Sequence, residues 1–234
     1  MARVLNARAI RPEFRLGMRD TIPVALGVIP FGITYGVVGP TVGLTAGETL
    51  LMSLLVFAGA AQFVSTTMIG MGITDFSTIV FTTLLINLRH LLMGASLSPY
   101  MPGLPFRRQA LLAFGMADES YAVTMDRVRR LGYDDRYQLG SNSAVYLAWF
   151  ISTAAGVFLG NYIPNPLQWG LDFAMPATFL AMLIPRLVDG RSLAVAAVAA
   201  AVAVVSALLL PGKWYIITAC FAASVTGGLL EKDN

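Results

Sequence analysis

The chain has 234 residues, 56% of them hydrophobic and 12% charged, with a mean hydropathy of +0.70 and a formal charge of +3. Soluble domains carry about 25% charged residues, so this composition defines an integral membrane protein and leaves no extramembrane catalytic domain. The positive charges are mostly arginines gathered in particular loops, a pattern of membrane topology and lipid contact rather than of nucleic-acid binding.

Several apolar runs of about 20 residues predict an all-α, polytopic transmembrane helix bundle of about seven or eight spans, some of them broken, in one domain covering 1–234. Arg3, Arg8, Arg11, Arg15 and Arg19 precede the first span and predict a cytoplasmic N-terminus. The first span, 22–44, is long, lacks a small-residue cleavage site and leads into further spans, so it is expected to be retained. It carries Pro23, Pro30, Gly32, Gly36, Gly39 and Pro40. Pro30-Phe31-Gly32 is the expected break, with two readings open: free backbone groups aimed at a substrate, or a kink serving packing alone.

The second span, 48–72, contains Ala58, Gly59, Ala60, Ala61, Gln62 and Ser65. Their i,i+4 spacing gathers small and polar side chains on one side, either a packing face held by a Gln62 hydrogen bond or a substrate lining. The third span, 76–102, is long enough to cross a bilayer, yet its middle reads Asn87-Leu88-Arg89-His90. Arg89 lies about ten residues from Pro99, roughly 15 Å along a helix, too far for an easy snorkel to the headgroups. A charge at that depth costs about 2.5–3.5 kcal/mol on insertion scales and faces a partner or a water-filled cavity. Helical periodicity puts Thr82, Arg89 and Ser96 on one line and Thr83, Asn87, His90 and Gly94 on the next, so Arg89 and His90 point about 100° apart. His90 is available for proton coupling because histidine titrates near neutrality; the alternative is a hydrogen-bonded core histidine.

Residues 109–126 hold Asp118 and Glu119 near their centre, the natural counter-charges of Arg89. This segment is either one short crossing or two re-entrant halves meeting at 115–118, with Asp118 capping the second. A full crossing keeps the Arg127, Arg129, Arg130 and Arg136 cluster on the cytoplasmic side and is the expected topology, with Arg107-Arg108 then falling outside as a minor violation. Further spans are expected at 137–162, with Trp149 inside it, at 168–185, with Asp172 as a cap or dipole contact, and at 192–210 and 214–230, which carry few polar atoms and read as scaffold. No internal sequence repeat is visible.

No phosphate-binding loop, HExxH or nucleophile set occurs. What remains is a polar constellation of Gln62, Asn87, Arg89, His90, Asp118 and Glu119 in an apolar chain, a pattern of transporters and channels rather than enzymes. Ala58-Gly59-Ala60-Ala61-Gln62-Phe63, Leu88-Arg89-His90 followed by Gly94-Ala95-Ser96-Leu97-Ser98, Ala117-Asp118-Glu119 and Met175-Pro176-Ala177, taken in this order and spacing, resemble the AzlC family, the large subunit of branched-chain amino acid permeases. The resemblance implies export of valine, leucine or isoleucine across the bacterial cytoplasmic membrane, with a small hydrophobic AzlD-type subunit as partner; it leaves homo-oligomerisation open. With Cys220 the one cysteine and His90 the one histidine, no intrachain disulfide and no Cys/His zinc spacing can be written, so no metal or cofactor is expected. On physical grounds Arg89, or backbone groups near Pro30 and Gly32, could hold a substrate carboxylate, and Asp118 or Glu119 an ammonium. A passive pore, or an auxiliary subunit whose partner carries selectivity, is the alternative.

Overall fold

The structure, a computed structural model, describes residues 10–160, 187–210 and 214–230, with Tyr162 and isolated positions between 177 and 184. The expected span at 168–185, with Asp172 and Pro176, and the Met175-Pro176-Ala177 motif fall outside the described residues, apart from those positions. Among the described residues every regular element is helical. The chain divides into two compact units, Met1–Asp172 and Phe173–Asn234.

In the first unit, α1 (Ile10–Thr41) and α7 (Asp135–Gly160) form the axis. Glycines let their backbones touch, the device by which helices associate in lipid without a hydrophobic driving force. Gly17 lies on Tyr137 and Ser141, Gly140 on Phe14 and Met18, Gly36 on Thr153 and Val157, and Gly156 on Ile33. Contact positions rise together along both helices, so α1 and α7 run parallel. The break expected at Pro30-Phe31-Gly32 is absent: α1 is one unbroken helix through Pro23, Pro30 and Pro40. All three prolines sit on its exposed side, while Gly32 is pressed against Trp149 and Ser152. Packing of the glycine face against α7 overrides the local helix-breaking signal.

The segment expected to be the second span is a hairpin. Thr45 and Glu48 form a capping box that starts α2 (Ala46–Leu51), which continues as a π-helical turn, Met52–Val56. Phe57 then turns left-handed, with φ 44°, and α3 (Gly59–Gly70) begins. The contacts trace its path. Thr49 meets Gly39, Tyr35 Oη donates to Met52 Sδ, and the Leu54 carbonyl accepts from Tyr146 Oη at 2.6 Å. On the return Phe63 reaches Tyr35 again and Gly70 meets Val42, just past the end of α1. Both outer ends of the hairpin therefore lie at the C-terminal end of α1.

Asp75 caps α4 (Phe76–Leu97) through a 2.7 Å hydrogen bond from Thr78 N–H, and α4 runs opposite to α1. The segment expected to cross at 109–126 is also two helices, α5 (Phe106–Phe114) and α6 (Asp118–Leu131), broken at 115–117. Arg108 Nε donates to Asp135 at 2.8 Å at the start of α7, and Asn142 Nδ2 donates to the Leu112 carbonyl farther in. Ser120 then approaches Ser141, and Arg127 returns to Glu13 at 3.2 Å and to the Tyr137 ring. This second hairpin enters and leaves at the opposite end of the unit from the first.

Two expected crossings thus fold as hairpins, each returning to the end of the unit from which it starts, and together they leave the direction of α7 as expected. The ends of α1, α5, α6 and α7 at one face carry Arg15, Arg19, Arg107, Arg108, Arg127, Arg129, Arg130 and Arg136, whereas the loops at the other, 42–45 and 71–75, carry no Lys or Arg. The expected exception at Arg107-Arg108 disappears, because that pair joins the other arginines. α1 with its hairpin and α4 with its hairpin repeat one motif in opposite directions, an inverted repeat that residue identity does not reveal.

The second unit pairs α8 (Gly190–Leu209), capped by Asp189, with α9 (Trp214–Leu230). Ser206 meets Thr218 at 2.8 Å and Val195 meets Gly227, which makes the pair antiparallel. Among the described residues four helices are long and apolar enough to cross a membrane, within α1, α4 with its short extension to Tyr100, α7 and α8. The seven or eight full spans expected do not follow: two are hairpins, one lies outside the described residues, and α9 has only 17 residues.

Candidate functional site

The two hairpin tips meet the middle of α7. Tyr146 stands 11 residues inside α7 from Asp135 and 14 from Gly160, roughly 16 and 21 Å at 1.5 Å per residue. Its ring lies 4.7 Å from Phe57 at the first tip and 6.3 Å from Phe114 at the second. Its hydroxyl satisfies the Leu54 carbonyl, one of the acceptors a helix leaves free where it ends.

Behind the first tip a buried polar cluster ties the hairpin shut. Gln62 is fully buried; its Nε2 donates to Ser53 Oγ at 3.0 Å and its Oε1 accepts from Trp149 Nε1 at 3.1 Å. Ser53 Oγ also meets Thr153 Oγ1 at 3.0 Å. Tyr35, Phe63 and Trp149 pack around this cluster with ring centroids 5.6 to 6.3 Å apart, spacings at which aromatic pairs attract. In the small-residue face 58–62, Gly59 lies against the Trp149 indole of α7. Only glycine admits that ring so close to the backbone.

At the second tip, Asp118 is the first residue of α6 and Ala117 its N-cap, where the Ala117 N–H donates to Ser120 Oγ at 3.0 Å. Asp118 does not cap. It receives Arg89 Nη1 at 2.6 Å, with side-chain exposures of 28% for Arg89 and 19% for Asp118. The carboxylates of Asp118 and Glu119 also sit in the first turn of α6, at the positive end of its dipole. The periodicity line holds on α4: Thr82 is buried, Arg89 meets Asp118, and Ser96 Oγ lies 2.7 Å from Tyr121 Oη. His90, on the neighbouring line, does not share that ion pair. Asn87 Oδ1, Arg89 Nε and His90 Nδ1 are buried without a hydrogen-bond partner, so this part of α4 keeps polar capacity beyond its ion pair.

The structure therefore brings Arg89 and Asp118 together, places Glu119 one residue on, and leaves Asn87 and His90 on the adjoining line of α4. Gln62 belongs to the first tip. Pro30 lies on the outer side of α1 and Gly32 at the α1–α7 contact. Sequence reasoning missed Tyr146, Ser53, Thr153 and Asn142. Asn142, Tyr146, Trp149 and Thr153 recur at spacings of three and four, one polar and aromatic line on α7, and this was the available signal.

Outside the apolar spans, charge is concentrated at the arginine-rich end. Arg127 joins Glu13, and Tyr137 Oη donates to Asp20 at 2.9 Å. Burial, with the nearby Asp135 charge, pushes the Tyr133 hydroxyl above its ordinary range; it donates to Gln138 Oε1 at 2.6 Å. At the other end, hydrogen bonds from the Thr78 side chain and backbone hold the Asp75 carboxyl below its usual value.

Helices broken midway, entering from opposite ends around an ion pair in an apolar unit, are the architecture of a membrane transport protein. The chain belongs to the AzlC family: the family model for AzlC protein matches residues 23–163, which takes in α1 from Pro23 onward, both hairpins, α4 and α7. It is 32% identical over 92% of its length to an uncharacterized membrane protein of Archaeoglobus fulgidus, covering 94% of that protein. It is 29% identical over 93% of its length to the branched-chain amino acid transport protein AzlC of Bacillus subtilis, covering 85% of it, and 28% identical over 79% to the inner membrane protein YgaZ of Escherichia coli, covering 77%. No solved structure matches the chain. The family is one of transport-related membrane proteins rather than of enzymes.

Proposed function

We propose that the protein is a secondary transporter that exports branched-chain amino acids across the bacterial cytoplasmic membrane by alternating access, with its substrate held between the two hairpin tips. The observation that carries this reading is the meeting of both tips at Tyr146, with the Arg89–Asp118 pair at the second tip. A zwitterion needs a cationic and an anionic contact. Arg89 supplies the first, as a forked donor suited to carboxylate, and Asp118 or Glu119 the second. In the empty carrier the pair neutralises itself, which lowers the cost of both charges inside the bilayer. A substrate with both charges replaces each partner without leaving net charge behind; an amine or an acid alone does not.

The hairpins supply two gates. Each reaches the site from a different side, and each is held by separable contacts: the Gln62, Ser53 and Trp149 hydrogen bonds for the first, the Arg127–Glu13 and Arg108–Asp135 pairs for the second. The branched-chain substrate is supported by the printed name of the Bacillus subtilis relative. The arginine distribution supports a cytoplasmic N-terminus, with the second hairpin opening inward and the first outward. An AzlD-type subunit follows from the family resemblance, and His90, with its unpaired Nδ1, is the candidate for proton coupling.

The test is efflux of labelled leucine from loaded proteoliposomes, with and without the small subunit. Saturable, gradient-dependent flux that Arg89→Ala and Asp118→Asn abolish at equal abundance is expected. Flux that never saturates would identify a pore. Saturable flux unaffected by both substitutions removes the pair from the mechanism.

A further inference from the structure

Between α5 and α7 the structure holds a cavity of about 270 Å³. It is open on one side: its apolar walls are Leu139 and the half-exposed Leu111, Phe114 and Leu147, and Asn142, Ser143, Tyr146 and Gly115 complete its lining. Two features connect it to the gates. Tyr146 is the residue that touches both tips. Gly115 opens the break of the second hairpin three residues before Asp118, so at 3.8 Å per residue the two α-carbons are at most roughly 11 Å apart.

We propose that this cavity is the side-chain subsite of the transported amino acid, accepting a branched aliphatic chain while the charged head engages Arg89 and Asp118. This rests on the transporter reading above and adds to it the residues that choose the side chain. The volume suits the ligand: an apolar cavity of about 150 Å³ accommodates benzene, so 270 Å³ holds the four carbons of a leucine side chain. The chemistry suits it as well. Leucine and phenylalanine walls favour each added methylene, and a hydrophobic pocket discriminates by roughly 10- to 200-fold per methylene. Asn142 marks the inner boundary: it is 2% exposed, its Nδ2 is committed to the Leu112 carbonyl, and its Oδ1 has no hydrogen-bond partner. Gly115 is needed there because its missing Cβ would lie 3.3 Å from that of Asn142, tighter than ordinary contact. Leucine, valine and isoleucine side chains therefore fit.

Ser143 offers the probe, since its hydroxyl is spent within α7 on the Leu139 carbonyl at 2.7 Å. Ser143→Leu fills the cavity and Leu139→Ala enlarges it. In proteoliposomes, the ratio of leucine to alanine kcat/KM is expected to fall at least roughly 10-fold in Ser143→Leu, with alanine flux retained. Leu139→Ala is expected to admit phenylalanine. A leucine to alanine ratio unchanged in both variants, with wild-type flux, overturns the proposal and leaves the cavity to lipid acyl chains. An equal loss of every substrate in both variants overturns it too, as a structural effect. If the wild-type protein moves no amino acid, the transporter reading falls and the subsite with it; an intact leucine flux with an unmoved ratio removes the subsite alone.

Discussion

Neutralising one half of the Arg89–Asp118 pair should cost more than neutralising both. The two charges meet at 2.6 Å with side chains 28% and 19% exposed, so solvent screens them incompletely. At an effective dielectric of about 20, unit charges 4 Å apart attract by about 4 kcal/mol, and removing one member of a buried pair costs roughly 3–5 kcal/mol because the other charge is left unpaired. Asp118→Leu strands a guanidinium about eight residues from the end of α4, where snorkelling is short of reach. Arg89→Met takes the guanidinium from the Asp118 carboxylate at the tip of the second hairpin. Each is expected to lower stability by about 3 kcal/mol, or roughly 6–12 °C in Tm for a chain of this size. The double variant Arg89→Met with Asp118→Leu should recover to within about 1 kcal/mol of wild type, since replacing a whole buried pair by apolar side chains is close to neutral. Unfolding followed in lipid bicelles gives the double-mutant cycle. Transport should be lost in all three proteins. Single variants as stable as wild type, or a double variant whose loss equals the sum of the singles, would refute the claim that the pair is electrostatically coupled within the unit.

Cysteine labelling tests the hairpins. In a Cys220→Ser background, Ala46→Cys and Met71→Cys should react together with a membrane-impermeant maleimide in intact cells, while Phe106→Cys and Leu131→Cys should react only after permeabilisation. Opposite accessibility within either pair would make that segment a crossing. Gly156→Leu should destabilise strongly, by roughly 3 kcal/mol or more, because even a Cβ at this position overlaps the Ile33 carbonyl and the α1–α7 backbone contact has no room to yield. Gly94→Ala, which meets nothing within 4 Å, should be neutral or stabilising by up to about 1 kcal/mol in thermal denaturation.

Some of this was legible before any coordinates. Periodicity placed Thr82, Arg89 and Ser96 on one line, and the cost of a lone charge at membrane depth pointed to the carboxylates at 118 and 119; both are properties of a single helix and of local composition. The breaks were harder. Proline at 23 and 30 signalled a discontinuity in α1, yet the helix continues because its outer face takes the prolines and its glycine face is clamped by α7. The true interruption lies at Phe57, a residue with no breaking propensity, which turns left-handed because the arms on either side are held by Tyr146, Trp149 and Tyr35.

What the amino-acid sequence determined by itself is therefore the helical class, the membrane setting, the family and the unusual position of Arg89 in the middle of an apolar helix, because these follow from composition, from a 3.6-residue period and from motif order. Only the tertiary structure decided that the two central segments turn back rather than cross, that they enter from opposite ends, and that Tyr146 lies between their tips. A hairpin and a crossing have the same hydropathy. They differ in which distant helix each turn touches, and that information resides in the glycine contacts of α1 and α7 and the hydrogen bonds of Tyr146 and Asn142, none of which a local reading of the chain contains.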